Sequence, residues 1–414
     1  MILAALAAGL SAIGVVQVVA GWVALLSWPG MTRPCAQPAR TVKISVLKPL
    51  HGDEPLLEEA LSSVCRQDYP VWQVVFGVQD AADGALIVVQ RLQARFPDCD
   101  IAVVVDPTPH GSNRKVANLI NMLPAAKHEV LVIADSDLHV APDYLRRLAA
   151  ALREPGTGLV TTLYSGLPLP PAPSAKQSGS GGAAMPSPPA LWGKGRGAGS
   201  IVHRLPSILG TIQINHYFLP GALLARAMGR QDCLGATMAL RRETLERIGG
   251  LQALVNHLAD DNVLGRLVQG LGLKVRLADT VPATTVPETS FAALWRHELR
   301  WARTIRALVP VQFAASVLQY PLAWAALALV LAWGASWSLA WFAAVWAVRA
   351  LAARGVERAL GLPFRSPVWL LPLRELMSVA VMAASYAGRQ VDWRGHTLQA
   401  EGFEIGRASC RERV

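Results

Sequence analysis

Forty-two consecutive residues, Ala307–Val348, carry no charge. As one helix rising about 1.5 Å per residue they would reach about 63 Å, twice the roughly 30 Å of a bilayer's hydrocarbon core. Two spans joined by a tight turn near Gly334-Ala335-Ser336 satisfy both lengths. The first 28 residues, MILAALAAGLSAIGVVQVVAGWVALLSW, are almost wholly apolar, and Arg33 is the first charge in the chain. A cleaved leader opens with a positive stretch and has a short apolar core. Residues 1–28 have neither, so they are expected to remain as an anchor. Arg33, Arg40 and Lys43 follow, which sets the next segment on the cytoplasmic side. Arg349, Arg354 and Arg358 are expected back on that side. Val368–Gly388 is a further apolar stretch interrupted by Arg374 and Glu375. It admits a span, a re-entrant turn or an interfacial helix.

The composition agrees with a membrane protein carrying a soluble part: 52% of the 414 residues are hydrophobic and only 16% charged. A net charge of +10 invites a nucleic-acid reading. No nucleic-acid motif accompanies it, and Arg-rich flanks beside membrane spans account for it. The five cysteines, Cys35, Cys65, Cys99, Cys233 and Cys410, include no CxxC pair and are read as reduced thiols.

Between the apolar ends, residues 40–306 alternate strands and helices. VKISVLKPL (42–50), WQVVFGVQD (72–80), IAVVVD (101–106), EVLVIADSD (129–137) and GLVTTLYS (158–165) read as strands. Helical segments separate them: 52–67, with Asp53 as expected N-cap and Pro55 in its first turn, then 84–96, 115–123 and 144–153. This rhythm predicts an α/β domain with a mainly parallel sheet covered on both faces. No GxGxxG or GxxxxGK[ST] follows any strand, which argues against dinucleotide oxidoreductases and P-loop NTPases.

Two stretches stand outside that pattern. Residues 166–206 hold eight Gly, eight Pro and no acid, and read as a disordered insertion. Glu404–Val414, EIGRASCRERV, resembles the translation of a sequencing-adapter oligonucleotide and is set aside from the fold. A tail, 389–403, precedes it.

Open sheets of this kind bind ligands beyond the carboxyl ends of their strands. Asp80 sits at one such end, and LVIADSDLHV puts Asp135 and Asp137 at another. Two carboxylates one residue apart suit a hard divalent ion, Mg2+ or Mn2+, that takes its other ligands from water and phosphates. A pair of surface aspartates capping the next helix is the simpler account of a bare DxD. HLADDNVLG places Asp260 and Asp261 at a helix start, where the dipole alone favours acids and where a general base is also possible. HELRWART carries His297, Arg300 and Trp301 just before the spans. Their plain reading is an interfacial Arg/Trp pair.

Taken in order, VKISVLKPLHGDEP, VFGVQD, NRKVANLINML, VIADSDLHV, CLGATMALRRETLERIGGL, LADD and HELRWART resemble the ceramide glucosyltransferase-like family, inverting glycosyltransferases of GT-A fold. The closest likeness is to its bacterial branch linked to hopanoid biosynthesis. The resemblance implies a membrane-bound enzyme of the bacterial inner membrane, its catalytic domain cytoplasmic. It would move a sugar from a UDP-sugar to a lipid hydroxyl, either N-acetylglucosamine to a hopanoid polyol or glucose to ceramide. By the same likeness Asp80 contacts the nucleotide, Asp135 and Asp137 hold the metal and diphosphate, and Asp261 is the base with Asp260 before it. Arg300 and Trp301 match the RW of the family's (Q/R)xxRW, and Lys115 lies in a basic segment facing the donor. His297 departs from that motif's first position. A processive polysaccharide synthase and a non-catalytic UDP-sugar- or lipid-binding membrane module are the competing readings. The first makes a ladder of products, and the second makes none.

Overall fold

The structure, a computed structural model, describes residues 1–28, 41–171, 198–388, 390–393, 396–401 and 404–406. For 198–203 and beyond 388 it describes the backbone alone. Arg33 and Arg40 lie outside the described residues.

A seven-stranded sheet forms the soluble centre. Its strands are β1 (Ile44–Pro49), β2 (Trp72–Val78), β3 (Asp100–Val105), β4 (Val130–Ala134), β6 (Thr157–Thr161), β8 (Thr237–Arg241) and β9 (Lys274–Leu277), in the order 3-2-1-4-8-6-9. The half formed by β3, β2, β1 and β4 is parallel, as expected. β8 departs from that pattern: it runs antiparallel between β4 and β6. It enters the sheet only after about 70 residues of intervening chain, a pairing that local periodicity does not encode. This is a GT-A-type architecture, a Rossmann-like parallel half extended by a mixed half.

Alternate strand residues face opposite layers. Ile44, Val46, Val74, Phe76, Val130 and Val132 pack with helices α2 (Leu57–Cys65), α3 (Ala85–Arg95) and α5 (Tyr144–Leu152). Leu47, Val75, Leu131 and Ile133 pack on the other face with α4 (Arg114–Met122), α8 (Arg242–Arg247) and α9 (Asp260–Gly270). Helix α2 corrects one expectation. It begins at Leu57, after Leu56 in the left-handed region (φ 62°), and Asp53 does not cap it. Gly52 turns the chain at φ 74° and its N–H donates to Asp83, and the helix is capped three residues later, at Leu56 instead of Asp53.

A small second sheet joins β5 (Leu138–His139), β10 (Ala283–Val286) and β7 (Ser165–Pro168) in the order 5-10-7. β7 and helix α6 (Ala198–Gln213) each overlap one end of 166–206, so the stretch read as disordered is ordered at both its ends. The glycine at 166 is what lets β7 lie against α6: a Cβ there would come 3.0 Å from the Thr211 backbone. Residues 172–197 lie outside the described residues.

Among the described residues three helices are long and apolar enough to cross a membrane: α1 (Ile2–Leu26), α13 (Ser336–Ala359), and the 18 residues Val368–Ser385, which end in α14 (Leu371–Ser385). A fourth crossing would be the pair Pro310–Gln319 and Pro321–Leu331, bent by 65° at the break. The first half of the charge-free block is therefore this bent pair, α11 (Pro310–Ala315) and α12 (Pro321–Leu331), and not a straight span. Pro321 has no N–H to carry a helical ladder through the break. The turn before α13 falls where expected, with Trp333 and Gly334 at positive φ.

Helix α1 docks through small residues. Ala4, Ala7, Ser11, Gly14, Gly21 and Leu25 form its buried seam. A Cβ on Gly14 would meet the Leu318 carbonyl at 2.3 Å, and one on Gly21 would meet Pro220 at 3.2 Å. Such close approach is how apolar helices gain packing energy where no water drives them together. Arg349 is 2% exposed, inside the helical layer.

At the chain's end β11 (Gln390–Trp393), β12 (His396–Glu401) and β13 (Glu404–Gly406) pair antiparallel. Glu404–Gly406, set aside from the sequence, thus adds a strand, since backbone pairing demands little of the side chains. Residues 407–414 lie outside the described residues.

Candidate active site

β4 stops at Ala134 because the chain crosses there to the small sheet. The Asp135 N–H gives the last bond to the Ala236 carbonyl (3.2 Å), and by Leu138 the chain pairs with β10. Asp135, Ser136 and Asp137 are this crossover. The Ser136 hydroxyl turns away and donates to Glu54 (2.7 Å). Asp137 accepts from the Thr284 hydroxyl of β10 (2.5 Å). Asp135 takes the Lys115 ammonium at 2.7 Å. The same ammonium is 4.0 Å from Asp260, so one lysine lies between the two acidic motifs.

The start of α4 is tied to the chain before α9, which brings Lys115 there. Asn113 caps α4 through its side-chain oxygen, and its amide donates to the His257 carbonyl (2.8 Å). Its backbone N–H donates to the Val255 carbonyl (2.8 Å). Asp260 and Asp261 then open α9, where unpaired backbone N–H groups favour negative charge. Gly235 presses on the second of them: a Cβ there would come 2.9 Å from the Asp261 carboxylate.

Negative charge is in excess at this rim, and the proton affinities record it. Burial, then the neighbouring Asp135, pushes Asp137 up to about 6. Burial, then Asp260, pushes Asp261 up to about 6. Burial also raises Asp260, against the pull of Lys115. For Lys115 burial acts downward, but Asp135, Asp260 and Asp261 outweigh it and hold the ammonium above its usual range.

Three participants were not foreseen. Lys48 is fully buried at the end of β1, donates to the Asp135 carbonyl (2.7 Å), and is drawn down to about 8 by burial. A lysine inside the apolar run VKISVLKPL was its visible signal. Thr284 left no signal, because its partner is 147 residues away. Tyr164 is raised by burial and then by the charges of Asp261, Asp135 and Asp137; its ring packs on Phe218 at 4.8 Å.

The other expected residues sit differently. Asp80 lies two residues beyond β2, on the same sheet edge as Asp135, with β1 between the two strands and about 10 Å separating their axes. It is exposed, and its carboxylate accepts from Ala82 in its own turn (2.9 Å); the described contacts do not join it to the other acids. His297, Arg300 and Trp301 are half-buried on α10 (Phe291–Leu308). His297 pairs through Nδ1 with Glu288 and stands edge-on to the Trp301 ring at 4.7 Å. Glu288 follows Thr284 by four residues, so the segment that reaches Asp137 also reaches the His297 helix.

Among the described residues no three His, Cys, Asp or Glu side chains gather as a metal cage. The rim's donor set still fits Mg2+ or Mn2+. Asp135 and Asp137 offer hard oxygens in mutual repulsion, and such ions complete their shell with water and phosphate.

The chain matches glycosyl transferase family 21 over residues 3–172 and 197–403. Among curated relatives, a ceramide glucosyltransferase of Komagataella phaffii is 29% identical over 119 residues, 28% of this chain and 23% of that protein. Ceramide glucosyltransferase 3 of Caenorhabditis elegans is 20% identical over 267 residues, 64% of this chain and 51% of its own length. The chain thus spans between about a quarter and a half of these relatives. A solved mannosyltransferase from Pyrobaculum calidifontis, in complex with GDP-Man and Mn2+, is 20% identical with a TM-score of 0.46, covering 91% of this chain and 99% of that one. With the family match running through the sheet, the acidic rim and the apolar helices alike, the chain belongs to glycosyl transferase family 21.

Proposed function

We propose that the protein transfers one sugar from a UDP-sugar to the hydroxyl of a membrane lipid, in one displacement with inversion. The observation that carries this reading is Lys115 between Asp135 and Asp260, which joins the donor-side and acceptor-side acids at one rim. Asp135 and Asp137 would hold Mg2+ or Mn2+, which when bound supplies Lewis-acid stabilisation of the departing diphosphate. Asp261 accepts the proton of the lipid hydroxyl as its oxygen bonds to the anomeric carbon. The bond from that carbon to the diphosphate oxygen breaks, and UDP leaves with the electron pair. An Asp261 carboxylate held up to about 6 by burial remains ionised at pH 7 yet is a better proton acceptor than an ordinary aspartate. Arg300 offsets charge on the phosphates, Trp301 and His297 close on donor and acceptor, and Asp80 meets the nucleotide.

Acceptor and sugar are assigned by class. A hopanoid polyol with N-acetylglucosamine comes first, and ceramide with glucose second. The relatives include ceramide glucosyltransferases and an N-acetylglucosaminyltransferase from Rhizobium leguminosarum, 26% identical over 116 residues. The site faces the cytoplasm of a bacterial inner membrane, since Lys43 and the basic residues before it follow the first span.

The test incubates membranes with labelled UDP-glucose or UDP-N-acetylglucosamine, a hopanoid polyol or ceramide, with and without EDTA. One sugar per lipid, lost with EDTA, is expected. A product ladder would make the protein a polymer synthase, and absence of any transfer from either donor would make it a binding module.

A further inference from the structure

Helix α13 ends at a basic hollow. A cavity of about 330 Å³ opens there, lined by Arg354, Glu357, Arg358, Gly361, Leu362 and Arg365. That volume falls within the range of small-molecule sites, about 300–1,000 Å³. Arg354 and Arg358 are four residues apart and share one face of α13, where like charges repel. Gly361 then turns the chain at φ 58°, and the Leu362 N–H donates to the Glu357 carbonyl (3.0 Å). The returning chain is tied to the helix: the Ser366 N–H donates to the Glu357 carboxylate (2.7 Å), which brings Arg365 to the same mouth.

The charge there is not balanced. Among the described residues the lining holds one carboxylate, Glu357, and it is already engaged. Arg354 binds it at 2.6 Å and His216 Nε2 lies at 3.4 Å. Arg358 and Arg365 are exposed, and among the described residues their side chains have no hydrogen-bond or ion-pair partner. The negative end of a helix favours a nearby cation, which accounts for Arg358 alone. Three guanidiniums around one engaged carboxylate leave positive charge in excess, and a guanidinium fork matches phosphate oxygens in pairs.

The place of the hollow in the fold decides which anion reaches it. Leu351 lies seven residues before Arg358 on the same helix face and is 66% exposed, so this face passes from apolar to basic toward its end. Trp369 and Leu373, just after the hollow, are exposed as well. Behind it Val356 and Leu360 pack in one cluster with Leu25 of α1, Leu219 of α7 (Leu219–Ala227) and Leu277 of β9. The helix therefore ends where the apolar layer meets the sheet domain. An apolar face that turns basic at that level, with a tryptophan beside it, is how a span meets lipid headgroups.

We infer that this hollow binds the phosphate of an anionic membrane phospholipid, held by Arg358 and Arg365 beside Arg354, with Leu351 toward its acyl chains. A zwitterionic headgroup carries its own cation and loses most of the attraction. The inference is independent of the sugar transfer proposed above and asks nothing of the acidic rim.

The test mixes the full chain, in neutral detergent, with phosphatidylglycerol, phosphatidylcholine or inorganic phosphate and counts bound molecules by native mass spectrometry. Phosphatidylglycerol should be retained about tenfold better than phosphatidylcholine, and inorganic phosphate at the same concentration should not displace it. Arg358→Gln/Arg365→Gln should remove that preference. Arg365→Gln alone, at a position outside the helix, should weaken it about threefold without moving the thermal midpoint. Arg95→Gln/Arg247→Gln removes the same charge from exposed positions of the sheet domain and should leave it unchanged. Equal retention of both lipids would overturn the inference, as would displacement by inorganic phosphate, which makes this a site for the free ion. So would an unchanged preference in either hollow variant, or an equal fall in Arg95→Gln/Arg247→Gln.

Discussion

Buried charge occurs in two regions, and the regions treat it differently. In the helical layer each buried charge has a counterpart: Arg374 grips Glu298 through two bonds of 2.7 Å, Arg349 pairs with Glu375, and Arg354 with Glu357. Glu375 also accepts from the Leu322 and Ala323 N–H groups freed at the Pro321 break. At the sheet rim, Asp135, Asp137, Asp260 and Asp261 face Lys115 and Lys48, and carboxylates remain in excess. Matched charge holds helices together. On the function proposed above, a cation and a substrate would offset the unmatched charge, which otherwise lowers the stability of the free protein.

This contrast can be broken by substitution. The largest effect is expected at the rim. Asp261→Asn should lower kcat by about 10²–10⁴, the usual worth of a positioned general base, while leaving UDP-sugar binding, read by calorimetry, within about twofold. Joint loss of binding and turnover would remove the assignment as base.

Stability should respond with opposite sign in the two regions. Arg374→Met strands the Glu298 carboxylate and should cost about 3–5 kcal/mol, seen as a lower thermal midpoint in detergent, with Arg374→Met/Glu298→Met recovering most of it. Asp137→Asn, which removes one of the crowded acids, should raise the thermal midpoint at pH 7 without divalent ion while removing metal dependence of activity. Destabilisation by that change would mean the rim is matched after all.

Gly235→Ala sharpens the geometry. Its Cβ would come 2.9 Å from the Asp261 carboxylate, and kcat should fall about tenfold or more with the donor affinity kept.

The smallest effect is in pH. Asp137 and Asp261 are raised to about 6 in the folded protein, above their ordinary range near 4. Between those values the unfolded chain has released protons that the folded chain still binds. The rim's contribution is therefore present below about pH 4 and is lost as pH rises through about 6. Millimolar Mg2+ should flatten that fall by binding the folded state. A thermal midpoint, taken without divalent ion, that rises steadily from pH 4 to 7 and is unchanged by Mg2+ would contradict it.

Much of the layout was legible beforehand. Apolar runs with strand length marked β1, β2, β3 and β4, and the acids that end β2 and β4 lie on one edge because parallel strands end together. The same reasoning missed β8, which pairs antiparallel after a long excursion, and placed the start of α2 too early, where Gly52 and Leu56 turn the chain first. It left Val368–Gly388 open between a span, a re-entrant turn and an interfacial helix because Arg374 and Glu375 interrupt it; both are fully buried and internally paired. At the rim, Asp135, Asp137, Asp260, Asp261 and Lys115 were singled out from motif and order and do come together, whereas Asp80 stands apart in its own turn.

Sequence alone determined which segments are apolar enough to leave water and which carboxylates close a strand or open a helix, because periodicity and strand-end chemistry act over a few residues. Only tertiary structure decided which charges find partners. Glu298 and Arg374 are 76 residues apart, Asp137 and Thr284 147 apart, and the energy of each pair depends on distance and burial that packing alone sets.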